Sequence, residues 1–138
     1  MLFVSSCSEV NRKPTSVRLT TFKGTPPEIK DCSCHFSVSE KDFIKDRFLF
    51  VSNLDSIAFV SINNKLVKLR LVQTTRNKDA IEVRDYENTY TIGVYKLVVS
   101  IQFKEQSGDE EWWNTGTLKL FFKDVAIETL NFVGECGC

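Results

Sequence analysis

The chain has 138 residues, with 18 basic and 18 acidic side chains and one histidine, so its formal net charge is zero and its pI is near 6.6. Such a balance gives no overall basic field to attract nucleic acid or anionic lipid, and no apolar run approaches the ~18 residues of a membrane-spanning helix. The length suits one domain with a sizeable core, and 11 Phe, 3 Tyr and 2 Trp supply strand-favouring core material.

Residues Met1 to Cys7 (MLFVSSC) have the look of the end of a bacterial lipoprotein signal: an apolar run, small residues, then a cysteine to be acylated. The basic n-region and most of the apolar h-region of a full signal are missing. Either the true start lies upstream and residues 1–7 are a lipobox remnant with Cys7 as the lipid attachment site, which is the expectation, or Met1 is the start and Cys7 is an ordinary thiol. Residues 8–27 are polar and broken by Pro14, Gly24, Pro26 and Pro27, which suits a tether. Within it, Val17 to Phe22 is β-prone enough to form an added edge strand. The compact domain is expected over 28–138.

Ile29 to Val38 reads as the first core strand and carries Cys32-Ser33-Cys34. Ser39 then offers a helix N-cap with acidic residues in the first turn, which predicts one short helical turn over Glu40–Ile44. Arg47 to Ser52 is a short apolar strand and Asn53–Ser56 a turn. Ile57 to Ile62 and Lys65 to Thr74 form a hairpin about Asn63-Asn64, residues that tolerate positive φ. Val67, Leu69 and Leu71 share one face of its second strand, opposite Lys68 and Arg70.

A turn at Arg76–Asp79, a strand from Ala80 to Tyr86 and a turn at Glu87-Asn88 are expected next. Thr91 to Gln106 has the longest strand signal, with Gly93 as a bulge or bend. Asp109, Glu110 and Glu111 form an acidic loop. Trp112 to Phe122 alternates, with Leu118, Leu120 and Phe122 inward; Lys123-Asp124 turns the chain into a last strand, Val125 to Cys138.

About eight short strands and almost no helix indicate an all-β, antiparallel barrel or sandwich. The cysteines favour the barrel. Side chains at i and i+2 of a strand share a face, so Cys32/Cys34 and Cys136/Cys138 each present two sulfurs on one side. Antiparallel pairing of the first and last core strands sets Cys32 opposite Cys138 and Cys34 opposite Cys136, within disulfide reach. The same four thiols could instead form a closed Cys₄ site for Zn, or hold Cu(I). Compartment decides between the two: with Cys7 acylated, an envelope location favours disulfides and no cofactor.

The residues argue against an enzyme. His35 adjoins Cys34, and neighbours on a strand face opposite ways, so the two make a poor nucleophile–base pair. No phosphate-binding, dinucleotide, zinc-protease or nucleophile-elbow motif occurs. Trp112 and Trp113 should likewise face opposite ways, one anchoring the core and one outside, where with Asp109, Glu110 and Glu111 it would offer a partner contact. Phe121 and Val98 suggest a mild apolar stripe on the outer face, a second packing layer beneath the tether.

Cys32-Ser33-Cys34, Ile62-Asn63-Asn64-Lys65, Ser107-Gly108-Asp109-Glu110 followed by Trp, Gly116-Thr117-Leu118 and Gly134-Glu135-Cys136-Gly137-Cys138 together resemble small uncharacterised lipoproteins of Bacteroidetes-type bacteria. The likeness spans about Asp31 to Cys138. It implies a lipid-anchored location in the bacterial cell envelope, periplasmic or surface, and no activity. A fainter resemblance, carried by a Cys near the first strand and a Trp before a Gly-x-Leu strand, is to periplasmic inhibitors of c-type lysozyme. The expectation is a monomeric, non-enzymatic envelope domain that binds a protein or glycan, meets the membrane only through its lipid and does not bind nucleic acid.

Overall fold

A computed structural model of the chain describes residues 16–76 and 85–138. The lipobox reading with Cys7, the tether up to residue 15 and most of the expected turn and strand at 76–86 lie outside the described residues. The elements are β1 (Leu19–Thr20), β2 (Phe22–Lys23), β3 (Ser33–Ser37), α1 (Glu40–Ile44), β4 (Arg47–Phe48), β5 (Phe50–Ser52), β6 (Ile57–Ile62), β7 (Lys65–Arg76), β8 (Tyr86–Ile92), β9 (Tyr95–Gly108), β10 (Glu111–Phe122) and β11 (Val125–Gly137).

Eight of these strands close into an antiparallel barrel in which each strand pairs with the next: β3, β5, β6, β7, β8, β9, β10, β11 and back to β3. This is an up-and-down barrel, and closure leaves it no free sheet edge to template aggregation. Two-residue turns do much of the work. Asn63 and Asn64 (φ 51° and 66°) join β6 to β7, and Lys123 and Asp124 (φ 50° and 66°) join β10 to β11. Positive φ at both positions matches the turn to the right-handed twist of the strands. Bulges at Leu71/Gln73, Trp113/Asn114 and Leu120/Phe121 add the local bending that closure requires.

The barrel interior is filled by one face of every strand. Phe36, Phe50 and Phe132 stack across it, with centroids 5.3 and 4.0 Å apart, among Leu69, Leu97, Val99, Leu118 and Leu120. Gly116 lies directly opposite Phe132, and Gly134 directly opposite Phe36. Each glycine leaves the space that the facing ring occupies.

One end of the barrel is plugged. Val17 and Leu19 are buried there with Ile62 and Ile127, the Leu19 amide donates to Glu128 Oε1 at 2.7 Å, and Arg18 exchanges backbone and side-chain hydrogen bonds with Asn63. The added edge strand expected near Val17 exists as β1, paired with β6. Packing thus begins by Val17, ahead of the boundary expected at residue 28, because these two apolar side chains fill the barrel end.

A second apolar layer lies outside the barrel. Ile29, Phe48, Val51 and Phe59 are buried on the outer face of β5 and β6, with Phe22, Phe43 and Ile57 packed on them. This is why Phe48 to Val51 is continuously apolar: Leu49 and Phe50 enter the interior, Phe48 and Val51 the outer layer. The layer sits here rather than over Val98 and Phe121, because Phe22 and Ile29 bring the N-terminal segment onto β5 and β6. Ser39 caps α1 by accepting from the Asp42 amide at 3.2 Å.

Two expectations change. Gly93, at φ 56°, is not a bulge within one long strand; with Val94 it forms the turn between β8 and β9. Glu87 and Asn88 are not a turn but the interior of β8. Asn88 is buried because its amide has partners inside the barrel, described below.

Candidate binding site at the barrel mouth

Strand β11 pairs with β3 in the register that the cysteines require, Cys136 opposite Cys34 and Gly137 opposite Ser33. Both disulfides are formed, Cys32–Cys138 and Cys34–Cys136, with Cα atoms 4.1 and 4.0 Å apart. They clasp the seam where the first and last barrel strands meet. Cys34 and Cys136 are buried in the core; Cys138 lies at the surface. All four sulfurs of the set are thereby taken up, and the bonds suit an oxidising, non-cytoplasmic compartment.

The clasp stands at the unplugged end. One row of cross-strand neighbours there runs Trp112, Cys136, Cys34, Ser52, so Trp112 points inward beside the inner disulfide. A cleft of about 500 Å³ opens in front of it, lined by Leu54, Asp55, Leu71, Thr74, Arg76, Tyr86, Asn88 and Trp112. The turn after β5, the end of β7 and the starts of β8 and β10 supply these residues. Eight-stranded barrels are wide enough to hold one small ligand, and barrel mouths are common binding sites.

The floor of the mouth is polar. Thr74 Oγ1 donates to Asn88 Oδ1 at 2.8 Å, and Asn88 Nδ2 donates to the Tyr90 hydroxyl at 3.1 Å. Ser52 hydrogen-bonds the same hydroxyl, whose pKa burial pushes up to about 12. Tyr86 is also raised by burial, with the nearby Arg76 charge opposing; the guanidinium carbon lies 5.7 Å from the ring centroid. Among the described residues, two buried polar atoms have no hydrogen-bond partner: the Trp112 Nε1 donor and the Asn114 Oδ1 acceptor. A buried group left unpaired costs roughly 1–3 kcal/mol, and each such group in a native fold needs a reason. The two residues lie on one inward face of β10, Trp112 at the cleft and Asn114 fully buried beneath it.

The sequence-derived partner residues do not converge. Trp112 is in the mouth. Trp113 is outside, but Phe43 of α1 covers it, with ring centroids 5.1 Å apart and planes at 83°. Asp109 and Glu110 form the turn after β9, where the Glu110 carbonyl accepts from the Cys138 amide at 3.0 Å. Glu111 lies beside the clasp in a smaller cleft with Asp31, His35 and Glu135. The rest of the mouth was missed, since Asn88 read as a turn residue. The available signal was the shared parity of Tyr86, Asn88 and Tyr90 on one strand face.

His35 faces outward into the second layer. Its Nε2 is 2.8 Å from Thr25 Oγ1 and its ring 4.8 Å from that of Phe48. Burial lowers its pKa below the ordinary 6.5, against the opposing charges of Asp46 and Glu135. The folded state therefore binds a proton less readily than the unfolded one, and stability is lost as pH falls from above 6.5 toward the lowered value. Thermal unfolding should show that loss, and His35→Gln should flatten it; an unchanged pH profile would remove His35 as its source.

The fold and site together define a class: a disulfide-clasped up-and-down barrel, plugged at one end, with a polar–aromatic mouth at the other. Among family models, curated proteins and solved structures, none matches the chain.

Proposed function

We propose that the protein is a non-enzymatic binding barrel of the bacterial cell envelope, held at the membrane through a lipid on Cys7, and that its mouth takes a glycan. The carrying observation is the cleft at Trp112, where two aromatic rings, Trp112 and Tyr86, stand among Asp55, Arg76 and Asn88. Aromatic faces suit the C–H surface of a sugar ring, and a few directed polar groups suit its hydroxyls. The disulfides and the lipobox-like start favour the envelope.

The absence of a catalytic role rests on the same layout. The one histidine lies on the outer face of the barrel wall, against Thr25 and Phe48. Tyr90, the buried hydroxyl nearest the cleft floor, is held neutral.

Binding is read from Trp112 fluorescence in a Trp113→Phe background, titrating neutral and acetamido-sugar oligosaccharides, with calorimetry alongside. Saturable binding is expected, and Trp112→Ala should weaken it by ~2 kcal/mol, about thirtyfold in Kd. Failure of every saccharide to bind, or undiminished binding by Trp112→Ala, would sink the proposal.

A further inference from the structure

The plugged end carries two hairpin tips fastened to each other. β8 and β9 turn at Gly93–Val94 and β10 and β11 at Lys123–Asp124; the Lys123 amide donates to the Val94 carbonyl at 2.9 Å. Behind the turns the Tyr95 and Phe122 rings sit 5.4 Å apart. The two tips thus form one rigid unit.

Their outer side chains are apolar. Ile92, Val94 and Val125 are 44, 47 and 45% exposed. Turn positions ordinarily favour Gly, Asn, Asp and Ser, so Val94 is not explained by its turn; Ile92 and Val125 are the strand residues that flank the two turns. Lysines surround them. Lys96 Nζ lies 4.4 Å and Lys119 Nζ 5.7 Å from the Phe121 ring centroid, and Lys123 Nζ 5.4 Å from that of Phe122. In the segments 92–96 and 119–125, Asp124 is the single carboxylate.

Charge is divided between the barrel ends. The clasp end gathers Asp31, Glu111 and Glu135 around one cleft, with Asp109 and Glu110 in the adjoining turn. The division is one of excess: Arg76 stands at the mouth, and Asp124 and Glu128 at the plugged end.

We infer that this end is a membrane-docking face, on which Ile92, Val94 and Val125 enter the interfacial region of an anionic bilayer while Lys96, Lys119 and Lys123 meet its headgroups. Lysine stems pack along apolar surface and keep their charges at the headgroup level, and each basic residue near an anionic leaflet adds to binding. The mouth and the clasp then face away from the membrane. The inference is independent of Cys7 acylation and of the glycan reading.

The test uses the full chain with Cys7→Ser, so that no acyl group contributes, in co-sedimentation with phosphatidylethanolamine vesicles containing phosphatidylglycerol and with phosphatidylcholine vesicles. Binding is expected to the first and not the second, with weakening at high salt. Each of Lys96→Gln, Lys119→Gln and Lys123→Gln should weaken it about fivefold. Val94→Asp with Val125→Asp should abolish it with the unfolding midpoint unchanged, since both side chains are exposed. No binding to the anionic vesicles, or binding indifferent to these substitutions, overturns the proposal. So does a dimer of the Cys7→Ser chain that the double Asp variant dissolves, because the patch would then be a contact between copies.

Discussion

Removal of both disulfides is expected to cost ~4–5 kcal/mol, whereas removal of the outer one alone costs ~1 kcal/mol or less. The two bridges span 106 and 102 residues, and either one closes nearly the same loop. Once one is in place, the second restricts the unfolded chain little further. Cys32→Ser with Cys138→Ser should therefore shift the denaturant midpoint only slightly. Cys34→Ala with Cys136→Ala should cost more, because those sulfurs are also buried among core side chains. The fourfold variant should exceed the sum of the two pairs, as expected when two sites share one constraint. Urea unfolding of the four proteins measures this directly, and simple additivity would contradict the shared-loop account.

Gly116→Ala and Gly134→Ala are expected to destabilise the fold by ~3 kcal/mol each, about 10 °C in Tm, and larger residues more. A Cβ on Gly116 would come within 2.7 Å of Phe132 Cζ and collide with the Ser100 carbonyl oxygen. One on Gly134 would come within 2.7 Å of Phe36 Cδ1 and collide with the His35 carbonyl oxygen. Backbone cannot yield there without opening the β9–β10 or β3–β11 ladder, and the facing rings are locked in the Phe36–Phe132 stack. The clash is steric and not conformational, since neither glycine has positive φ. A thermal midpoint for Gly134→Ala within about 2 °C of the parent would show that the ring can move aside.

Much of the fold was legible because local rules and the global topology agree. Leu118 and Leu120, Leu97 and Val99, and the Val67–Leu71 series alternate with period two, which assigns their faces without reference to the rest of the chain. The Cys-x-Cys pairs supplied what alternation cannot, namely which strands meet and in what register. Local rules failed where a residue type was put to an uncommon use. Asn88 reads as a turn former, yet it serves as a buried relay between Thr74 and Tyr90. Gly93 lies within a long β-prone run, and only the positive φ at the turn separates β8 from β9.

The site was half legible. Trp112 stood out as one of an adjacent pair, and strand geometry placed one ring inside and one outside. It did not say that Phe43, seventy residues earlier, would cover Trp113. Nor could it assemble the mouth, whose residues come from four strand ends brought together only by barrel closure. The acidic loop drew attention as a charge cluster, but its Asp109-Glu110 turn borders the clasp and leaves the cleft to Asp55 and Arg76.

The clasp is the central claim, since it fixes the barrel seam, shapes the wall beside Trp112 and suits an oxidising, non-cytoplasmic compartment. Mass spectrometry of the native, non-reduced protein tests it most directly. The account predicts an intact mass lighter than that of the reduced protein by the four hydrogens lost in two disulfides, and digest peptides that link Cys32 to Cys138 and Cys34 to Cys136. Four free thiols with a bound zinc or copper ion would contradict it.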